Sequence, residues 1–300
     1  MDDVIVLDRL VKTYGRRRGL DGLDLQVCSG EVLGFLGPNG AGKSTTIRLL
    51  LDLIRPTSGT VRVFGLDPRT DAVALHRRVG YLAGDFVVDG RQTVGACLRF
   101  LAGLRAGVPA GRIDALAARL DLDLSARIKS LSKGNRQKVG LVQAFMHEPE
   151  LLILDEPTSG LDPLVQQTFL QMVSEAAANG QTVFMSSHVM AEVQAVSDRV
   201  AIIREGRLVA LDTVAALRSQ AVRNIEITFA EPVTAESFDT VPGVTGLSVH
   251  GTVLRCQLDG SPDALLRAAT HEHTVTGILA TEPPLEDLFH RYYTGASRAA

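Results

Sequence analysis

A glycine-rich segment between a buried strand and a helix constrains this chain more than any other feature. Residues 37–44 read Gly-Pro-Asn-Gly-Ala-Gly-Lys-Ser, which fits the pattern G-x-x-x-x-G-K-[ST]. The apolar run Val32–Leu36 precedes it, and a helical pattern over residues 43–54 follows. Glycines let backbone N–H groups point inward around a phosphate chain, and the helix N-terminus adds partial positive charge. The sequence therefore predicts a phosphate-binding loop.

The loop assigns roles to individual residues. Lys43 would reach the β- and γ-phosphates of a nucleotide, and the hydroxyl of Ser44 would hold Mg²⁺. We expect the nucleotide to be contacted along the loop and the first helical turn by Gly37, Asn39, Gly40, Gly42, Lys43, Ser44 and Thr45.

The rest of the first 220 residues predicts an α/β domain. Short apolar runs at 151–154, 183–185 and 200–203 are separated by helical patterns, which is the alternation of a parallel sheet covered by helices. Residues of about 93–148 are mostly helical in pattern. We expect this domain to span residues 1–220.

The pattern changes after residue 220. Strand-like segments at 224–229, 246–250, 252–258 and 274–280 alternate with helical patterns at 262–270 and 284–293. A chain of 300 residues is also longer than one core usually serves. Residues 221–300 are therefore predicted to form a small α+β domain, with a ferredoxin-like arrangement as one possibility.

Two carboxylates follow the apolar run at 151–154. Ligands bind at the carboxyl ends of parallel strands, so Asp155 would orient Mg²⁺ through water and Glu156 would act as general base on the attacking water. Alone, the pair would indicate a solvated turn. Its position after a phosphate loop in one α/β domain favours the catalytic interpretation.

A third segment, Leu131-Ser132-Lys133-Gly134-Asn135, precedes the helical pattern at 135–146. Ser132 is a good helix cap and could have no other role. With the two preceding motifs, however, the chain resembles the nucleotide-binding subunits of ABC transporters over residues 4–220. That resemblance implies an ABC-type P-loop NTPase domain with a parallel sheet core, an antiparallel β subdomain and a helical subdomain at about 85–148.

The resemblance also implies residue roles that the spacing alone does not show. Ser132 and Gly134 would contact the γ-phosphate bound by another subunit, and Lys133 and Asn135 depart from the commonest form of that motif. Tyr14 would stack on adenine, Asp162 would link two active sites, and His188 would contact the γ-phosphate. In isolation, these three residues would be a strand-end tyrosine, a helix start and a structural histidine.

One residue common in the resembled family is missing. The loop after the strand pattern at 79–82 usually carries a glutamine that touches Mg²⁺, and Gly84 occupies that position here. Asp85 is our candidate to take over part of the metal contact. The alternative is that this contact is absent.

The resemblance implies ATP and Mg²⁺ as cofactors, a homodimer or heterodimer of ATPase subunits, and separate permease subunits in the membrane. The layout is most similar to type-2 exporters of drug-like or lipid-like molecules. A soluble ABC ATPase acting on ribosomes or DNA is the alternative. Residues 222–300 could bind a regulatory small molecule or support the dimer.

Charge, apolar runs and cysteine spacing limit the classes of partner and the cellular locations that we expect. The formal net charge of −3 gives no broad positive field for nucleic acid, so we expect no such partner. The best apolar runs, such as those at 49–54 and 151–154, fall well short of the ~20 residues that span a bilayer. The start is acidic, and the three cysteines have no metal-ligand spacing. We expect a cytoplasmic protein, peripheral on the cytoplasmic face of the cell membrane, with inert thiols.

Overall fold

A computed structural model describes residues 2–88, 90–105, 107–219 and 223–281. The chain divides into two compact units, Met1–Asp212 and Thr213–Ala300. The division comes after Asp212, before the boundary expected near residue 220, because the short helix that begins at Val214 groups with the second unit. The helix expected at 284–293 lies outside the described residues.

The first unit contains two sheets and seven α-helices among its described residues. Its strands are β1 (Asp3–Tyr14), β2 (Arg17–Cys28), β3 (Val32–Leu36), β4 (Ser58–Val63), β5 (Val79–Leu82), β6 (Leu151–Asp155), β7 (Thr182–Ser187), β8 (Arg199–Arg204) and β9 (Arg207–Thr213). Its helices are α1 (Lys43–Leu50), α2 (Ala72–Arg78), α3 (Val94–Gly103), α4 (Arg112–Arg119), α5 (Lys133–Phe145), α6 (Pro163–Ala178) and α7 (Met190–Val196).

The main sheet positions the candidate site. Its strand order is β5-β6-β7-β3-β8-β9, and the pairs β5/β6, β6/β7, β7/β3 and β3/β8 are parallel. Every residue of β3, β6 and β7 is buried, as expected for strands covered on both faces. Because parallel strands share one direction, the carboxyl ends of β3, β6 and β7 lie at the same edge.

The second sheet is antiparallel, with the order β2-β1-β4. Helix α1 leads from the main sheet towards β4 and stops at Leu50, earlier than the predicted end near residue 54. Asp52 has a φ of 50°, in the left-handed region, so the chain leaves the helix before the Arg55-Pro56 turn. The two sheets share one hydrophobic core.

The segment expected to be a helical subdomain contains α3, α4 and α5, with a single 3-10 turn at Ile128–Ser130. Helix α5 packs closely on β5. A Cβ atom at Gly140 would come within 2.4 Å of the Leu82 side chain, so this approach requires glycine.

The second unit is α+β, as predicted. Its described elements are α8 (Val214–Ser219), β10 (Arg223–Phe229), β11 (Val244–His250), β12 (Val253–Leu258), α9 (Asp263–Glu272) and β13 (Val275–Thr281). The four strands form an antiparallel sheet with the order β11-β12-β10-β13. Leu265 and Ala269 of α9 belong to the same buried cluster as Ile227 and Leu254 of the sheet. The connection from β10 to β11 carries a 3-10 turn, Ala235–Ser237.

Candidate functional site

The glycine-rich segment leaves the buried end of β3 and enters α1 directly. Gly40 and Gly42 have φ values of 82° and 119°, which side chains with a Cβ rarely adopt. Gly37 has a different reason to be glycine, since a Cβ there would lie 2.5 Å from the carbonyl oxygen of Ile203. The tight turn therefore needs these glycines for conformation and for close packing.

Lys43, the first residue of α1, points back over this turn. Its side chain is buried, with a residue exposure of 5%. The Nζ atom donates to the carbonyl oxygen of Gly37 at 2.6 Å and lies 3.2 Å from Oε1 of Glu156. The second contact is an ion pair without hydrogen-bond geometry, because Oε1 has no hydrogen-bond partner. The ammonium group is thus fixed at the junction of the loop and Glu156.

A cleft of about 350 Å³ opens above the loop. Its lining residues are Tyr14, Arg17, Arg18, Gly19, Pro38, Asn39, Gly40, Gly42, Lys43, Ser44, Thr45, Arg48 and Glu156. Tyr14 is 45% exposed, and the ammonium of Lys12 lies 5.2 Å from the centre of its ring. The exposed aromatic ring and the phosphate loop therefore line one cleft. Nucleotide binding by these residues stays a prediction.

Asp155 and Glu156 lie at the carboxyl end of β6. Asp155 is buried, and its Oδ1 accepts a hydrogen bond of 2.5 Å from the hydroxyl of Ser186 on β7. Glu156 has a φ of 47°, and its N–H donates to the carbonyl oxygen and the hydroxyl of Ser186, each at 3.2 Å. Such a backbone costs about 1–3 kcal/mol and is held only by its surroundings. The turn aims Glu156 at Lys43.

His188 follows β7 and contacts the same glutamate. Its Nδ1 lies 2.6 Å from Oε2 of Glu156, and its side chain is otherwise exposed. Glu156 therefore bridges two basic groups, Lys43 through Oε1 and His188 through Oε2. Lys43 and Glu156 line the cleft, and His188 is joined to it through its contact with Glu156.

The oxygen atoms near the phosphate loop suit Mg²⁺ better than a metal ion that is bound by protein side chains alone. Among the described residues, no group of three or more His, Cys, Asp and Glu side chains could hold a metal ion. Mg²⁺ is usually bound by one or two carboxylates with water and phosphate oxygens. The Ser44 hydroxyl at the cleft and the buried Asp155 carboxylate fit that pattern. Asp155, together with burial, raises the pKa of the neighbouring Tyr81 phenol, and burial has the larger effect.

The loop after β5 places Gly84, not a side chain, against Asp155. A Cβ atom at Gly84 would lie 3.1 Å from Oδ2 of Asp155, so a larger residue would have to displace this carboxylate. Asp85 is exposed. Its role as a metal ligand stays a prediction.

Ser132, Gly134 and Asp162 are not among the residues that line the cleft. Ser132 is exposed and accepts a hydrogen bond from the N–H of Asn135, which caps α5. Asp162 is also exposed and caps α6 through the N–H of Val165. Within one chain these two residues do what helix caps do.

Two buried polar residues that the sequence did not single out hold the Glu156 turn in place. Ser186 bonds Asp155 and Glu156, as described above. Gln137 of α5 donates through Nε2 to the carbonyl oxygens of Glu156 and Pro157, at 3.2 and 3.0 Å. The position of Ser186, two residues before His188 at the end of a strand, was a signal that could have found it. Nothing in the local pattern indicates Gln137.

Comparison with known proteins gives the family. The profile of the ABC transporter family matches residues 20–159. The chain is 32% identical to the bacitracin transport ATP-binding protein of Enterococcus faecalis, and the alignment covers 100% of this chain and 99% of that protein. The chain belongs to the ABC transporter ATP-binding family. It is therefore an ATPase subunit of the ABC type, as its motifs predicted.

Other relatives agree with this assignment. The Nod factor export ATP-binding protein I of Paraburkholderia xenovorans is 33% identical, with 96% of each chain aligned. A solved ATP-binding subunit of an ABC transporter matches with a TM-score of 0.67 and 30% identity, over 72% of this chain and 92% of that one. A dimeric bacterial ABC transporter cassette shares the fold, with a TM-score of 0.64 and 22% identity over 70% and 98%.

Proposed function

We propose that this ABC ATPase hydrolyses ATP at the cleft above Lys43 and that hydrolysis drives export through separate membrane subunits. The observation that carries the site assignment is the meeting of Lys43, Glu156 and His188 beside a phosphate loop. Tyr14 would receive the adenine, and the loop from Gly37 to Thr45 would surround the phosphates. Nucleotide binding of this kind is what the family does.

Mg²⁺ would be held by the hydroxyl of Ser44 and, through water, by the carboxylate of Asp155. Its chemistry would be to neutralise charge on the phosphate oxygens. Ser186 keeps Asp155 oriented by its 2.5 Å hydrogen bond.

Glu156 is the candidate general base. When a γ-phosphate approaches Lys43, it competes with Glu156 for the same ammonium, which frees Oε1 to accept a proton from the attacking water. His188 would keep hold of Oε2, so the carboxylate would remain oriented. General bases contribute about 10²- to 10⁴-fold to rates.

We further propose that the working form is a dimer in which each cleft is completed by Ser132 and Gly134 of the other copy. Two exposed apolar side chains support this. Leu164, two residues after Asp162, is 75% exposed, and Val189 follows His188 and is also exposed. Apolar side chains beside polar site residues favour burial by a partner.

A mixing experiment tests the shared site. Lys43→Ala destroys a phosphate loop, and Ser132→Arg blocks the segment offered to the partner, so each variant alone should hydrolyse ATP very slowly. In a mixed dimer, the intact loop of the Ser132→Arg copy faces the intact Ser132 of the Lys43→Ala copy. We expect the mixture to regain a measurable part of the wild-type rate of phosphate release.

The control is each variant mixed with itself at the same total concentration, which should remain inactive. Absence of recovery, with mixed dimers demonstrated by differently tagged copies, would contradict the shared site. It would leave nucleotide binding at Lys43 untouched.

The membrane partner is inferred from the relatives and from one surface. Both aligned relatives named above carry transport or export in their names and align over nearly their full lengths. Among the described residues, no helix is both long and apolar enough to cross a bilayer. Phe100 of α3 and Leu104, the residue that follows the helix, lie four positions apart and are 62% and 69% exposed. We propose that this apolar face contacts a permease at the cytoplasmic face of the membrane.

Co-purification tests this partner. Tagged Glu156→Gln protein, purified from native membranes in Mg-ATP, should bring one polytopic membrane protein in stoichiometric amount by mass spectrometry. The matched variant with Phe100→Asp and Leu104→Asp added should bind ATP equally well and lose that protein. Recovery with ribosomes or DNA instead would favour the soluble alternative.

A further inference from the structure

Three consecutive arginines stand where β1 leads into β2: Arg16 lies in the turn, and Arg17 and Arg18 begin β2. Gly15 and Arg16 form the turn itself, so Tyr14 and Arg17 are the last pair in the register of the two strands. Residues directly opposite each other in an antiparallel pair place their side chains on the same face. Arg17 therefore shares a face with the tyrosine proposed to stack on adenine.

Arg17 reaches from this turn over the phosphate loop. It lines the same cleft as Gly40, Lys43 and Ser44. Its Nη2 atom lies 3.5 Å from the point where a Cβ on Gly40 would stand, so the guanidinium group lies beside the glycine turn. The side chain spans the interval between Tyr14 and the loop.

The neighbouring arginine is neutralised, and Arg17 is not. Nη1 of Arg18 lies 2.8 Å from Oδ2 of Asp21, which also pairs with Arg207 at 2.7 Å. Arg207 contributes most to lowering the pKa of Asp21, and Arg18 adds to it. The guanidinium group of Arg17, by contrast, has no ion pair or hydrogen bond with any residue that the structure describes. Its charge is available to a ligand.

We propose that Arg17 binds the phosphate chain of the nucleotide between the adenine site at Tyr14 and Lys43. The guanidinium group presents several donors in a planar fork that matches phosphate oxygens, which suits a contact made at the rim of an open cleft. Lys43 already divides its interactions between Gly37 and Glu156, so a second cation adds charge where the loop supplies only N–H groups. The inference rests on the proposed nucleotide site.

The expected effect depends on the number of phosphates. Charge-assisted hydrogen bonds are worth more than neutral ones, but an exposed arginine gives the lower part of that range. We expect Arg17→Ala to weaken binding of ADP and of a non-hydrolysable ATP analogue about 10-fold at low salt. Binding of adenosine, measured by competition with a fluorescent ADP, should change less than about 2-fold, because adenosine has no phosphate.

The experiment is a titration of the full chain by isothermal calorimetry, with four variants in parallel: Arg17→Ala, Arg17→Lys, Arg16→Ala and Lys43→Ala. Arg16→Ala is the matched control, since it removes the same charge from the adjacent residue, which does not line the cleft. Arg17→Lys keeps the charge and should recover part of the affinity. Raising the salt concentration should bring Arg17→Ala and wild type closer together, because the difference is electrostatic.

The outcomes separate the two proposals. If Lys43→Ala and wild type bind ADP equally, the nucleotide site itself is misplaced. If Lys43→Ala loses binding and Arg17→Ala does not, the site stands and the role of Arg17 is wrong. If Arg17→Ala weakens adenosine binding as much as ADP binding, Arg17 contacts the adenosine part of the nucleotide. If Arg16→Ala weakens ADP binding as much as Arg17→Ala does, the effect comes from the general positive charge of the region. Either result would overturn the proposal.

Discussion

The two groups of predicted site residues differ in what they contact within the chain. Lys43 and His188 both contact Glu156, and Asp155 beside it is buried and hydrogen-bonded. Ser132 and Asp162 are exposed, and their side chains only cap their own helices. The first group, which we call the phosphate half, is built within one chain. The second, the signature half, presents its polar atoms outward.

This difference is what the proposed shared site would produce in a single chain. A buried charge must be paired where it lies, so the phosphate half contains its own counter-ions. Polar groups that contact a ligand bound by another copy are exposed to solvent in the single chain, so they resemble ordinary helix caps. Exposure of the signature half is thus what a shared site predicts. The predictions below test whether the two halves are separate.

The largest effect is expected in the phosphate half. Glu156→Gln keeps the size of the side chain and removes the base, so ATP turnover should fall about 10²- to 10⁴-fold. Nucleotide affinity should be kept or increased, because Lys43 no longer has a competing carboxylate. Steady-state phosphate release and calorimetric binding measure the two quantities. Normal turnover would remove Glu156 from the role of base.

The next test concerns the start of α5, beside Ser132, which packs against the loop between Glu156 and Asp162. A Cβ atom at Gly134 would lie 2.5 Å from the carbonyl oxygen of Gly160, so Gly134→Ala must push the start of α5 away from the loop that follows Glu156. Overpacking of this kind costs about 1–3 kcal/mol in unfolding free energy. We expect ATP turnover to fall at least about 10-fold if the displacement moves Ser132 by a fraction of an ångström.

Gly103→Ala is the matched control for that variant. A Cβ atom at Gly103, the last residue of α3, would meet no atom within 4 Å. The substitution should leave turnover unchanged and stabilise the fold by about 0.4–1 kcal/mol, through the unfolded state. Thermal stability should therefore change in opposite directions at the two glycines, whereas phosphate release should fall only in Gly134→Ala. Equal turnover in both variants would show that the halves tolerate displacement independently.

The smallest effect is expected at the junction between β5 and the end of α3. Nε2 of His147 lies 2.7 Å from Nη1 of Arg105 and 3.2 Å from the carbonyl oxygen of Val79. Burial, and then the charge of Arg105, lowers the pKa of His147 to about 4. The unfolded chain, with an ordinary histidine pKa near 6.5, binds a proton first as the pH falls. Stability is therefore lost between pH 6.5 and pH 4.

His147→Gln should remove that loss. Because the ring is partly exposed, we expect the decline in unfolding free energy over this pH range to shrink by only about 1–2 kcal/mol, less than the full shift would give. Urea unfolding at several pH values measures it, with His250→Gln at an exposed strand end as the control. An unchanged decline would show that the junction does not contribute to acid sensitivity.

Patterns with local causes could be predicted from the sequence. The glycine turn, the buried strands and the carboxylates after β6 follow from neighbours in the chain, and these predictions were confirmed by the fold. Helix α2 and strand β9 did not stand out, because each is short and only partly buried. The contacts of Ser186 and Gln137 join residues 19 to 31 positions apart. Such pairs depend on how strands and helices are arranged in space, and the spacing of apolar residues within one element does not indicate that arrangement.

The pairing of Lys43 with Glu156 has a consequence for the rate of nucleotide exchange. A buried ammonium without a partner would bind any anion strongly and release it slowly. Here the carboxylate lies 3.2 Å away, so an arriving phosphate replaces one anion with another and the local charge changes less. Departure of the product returns the same counter-ion to Lys43. The ion pair therefore lowers the affinity for the nucleotide and speeds the release of the product.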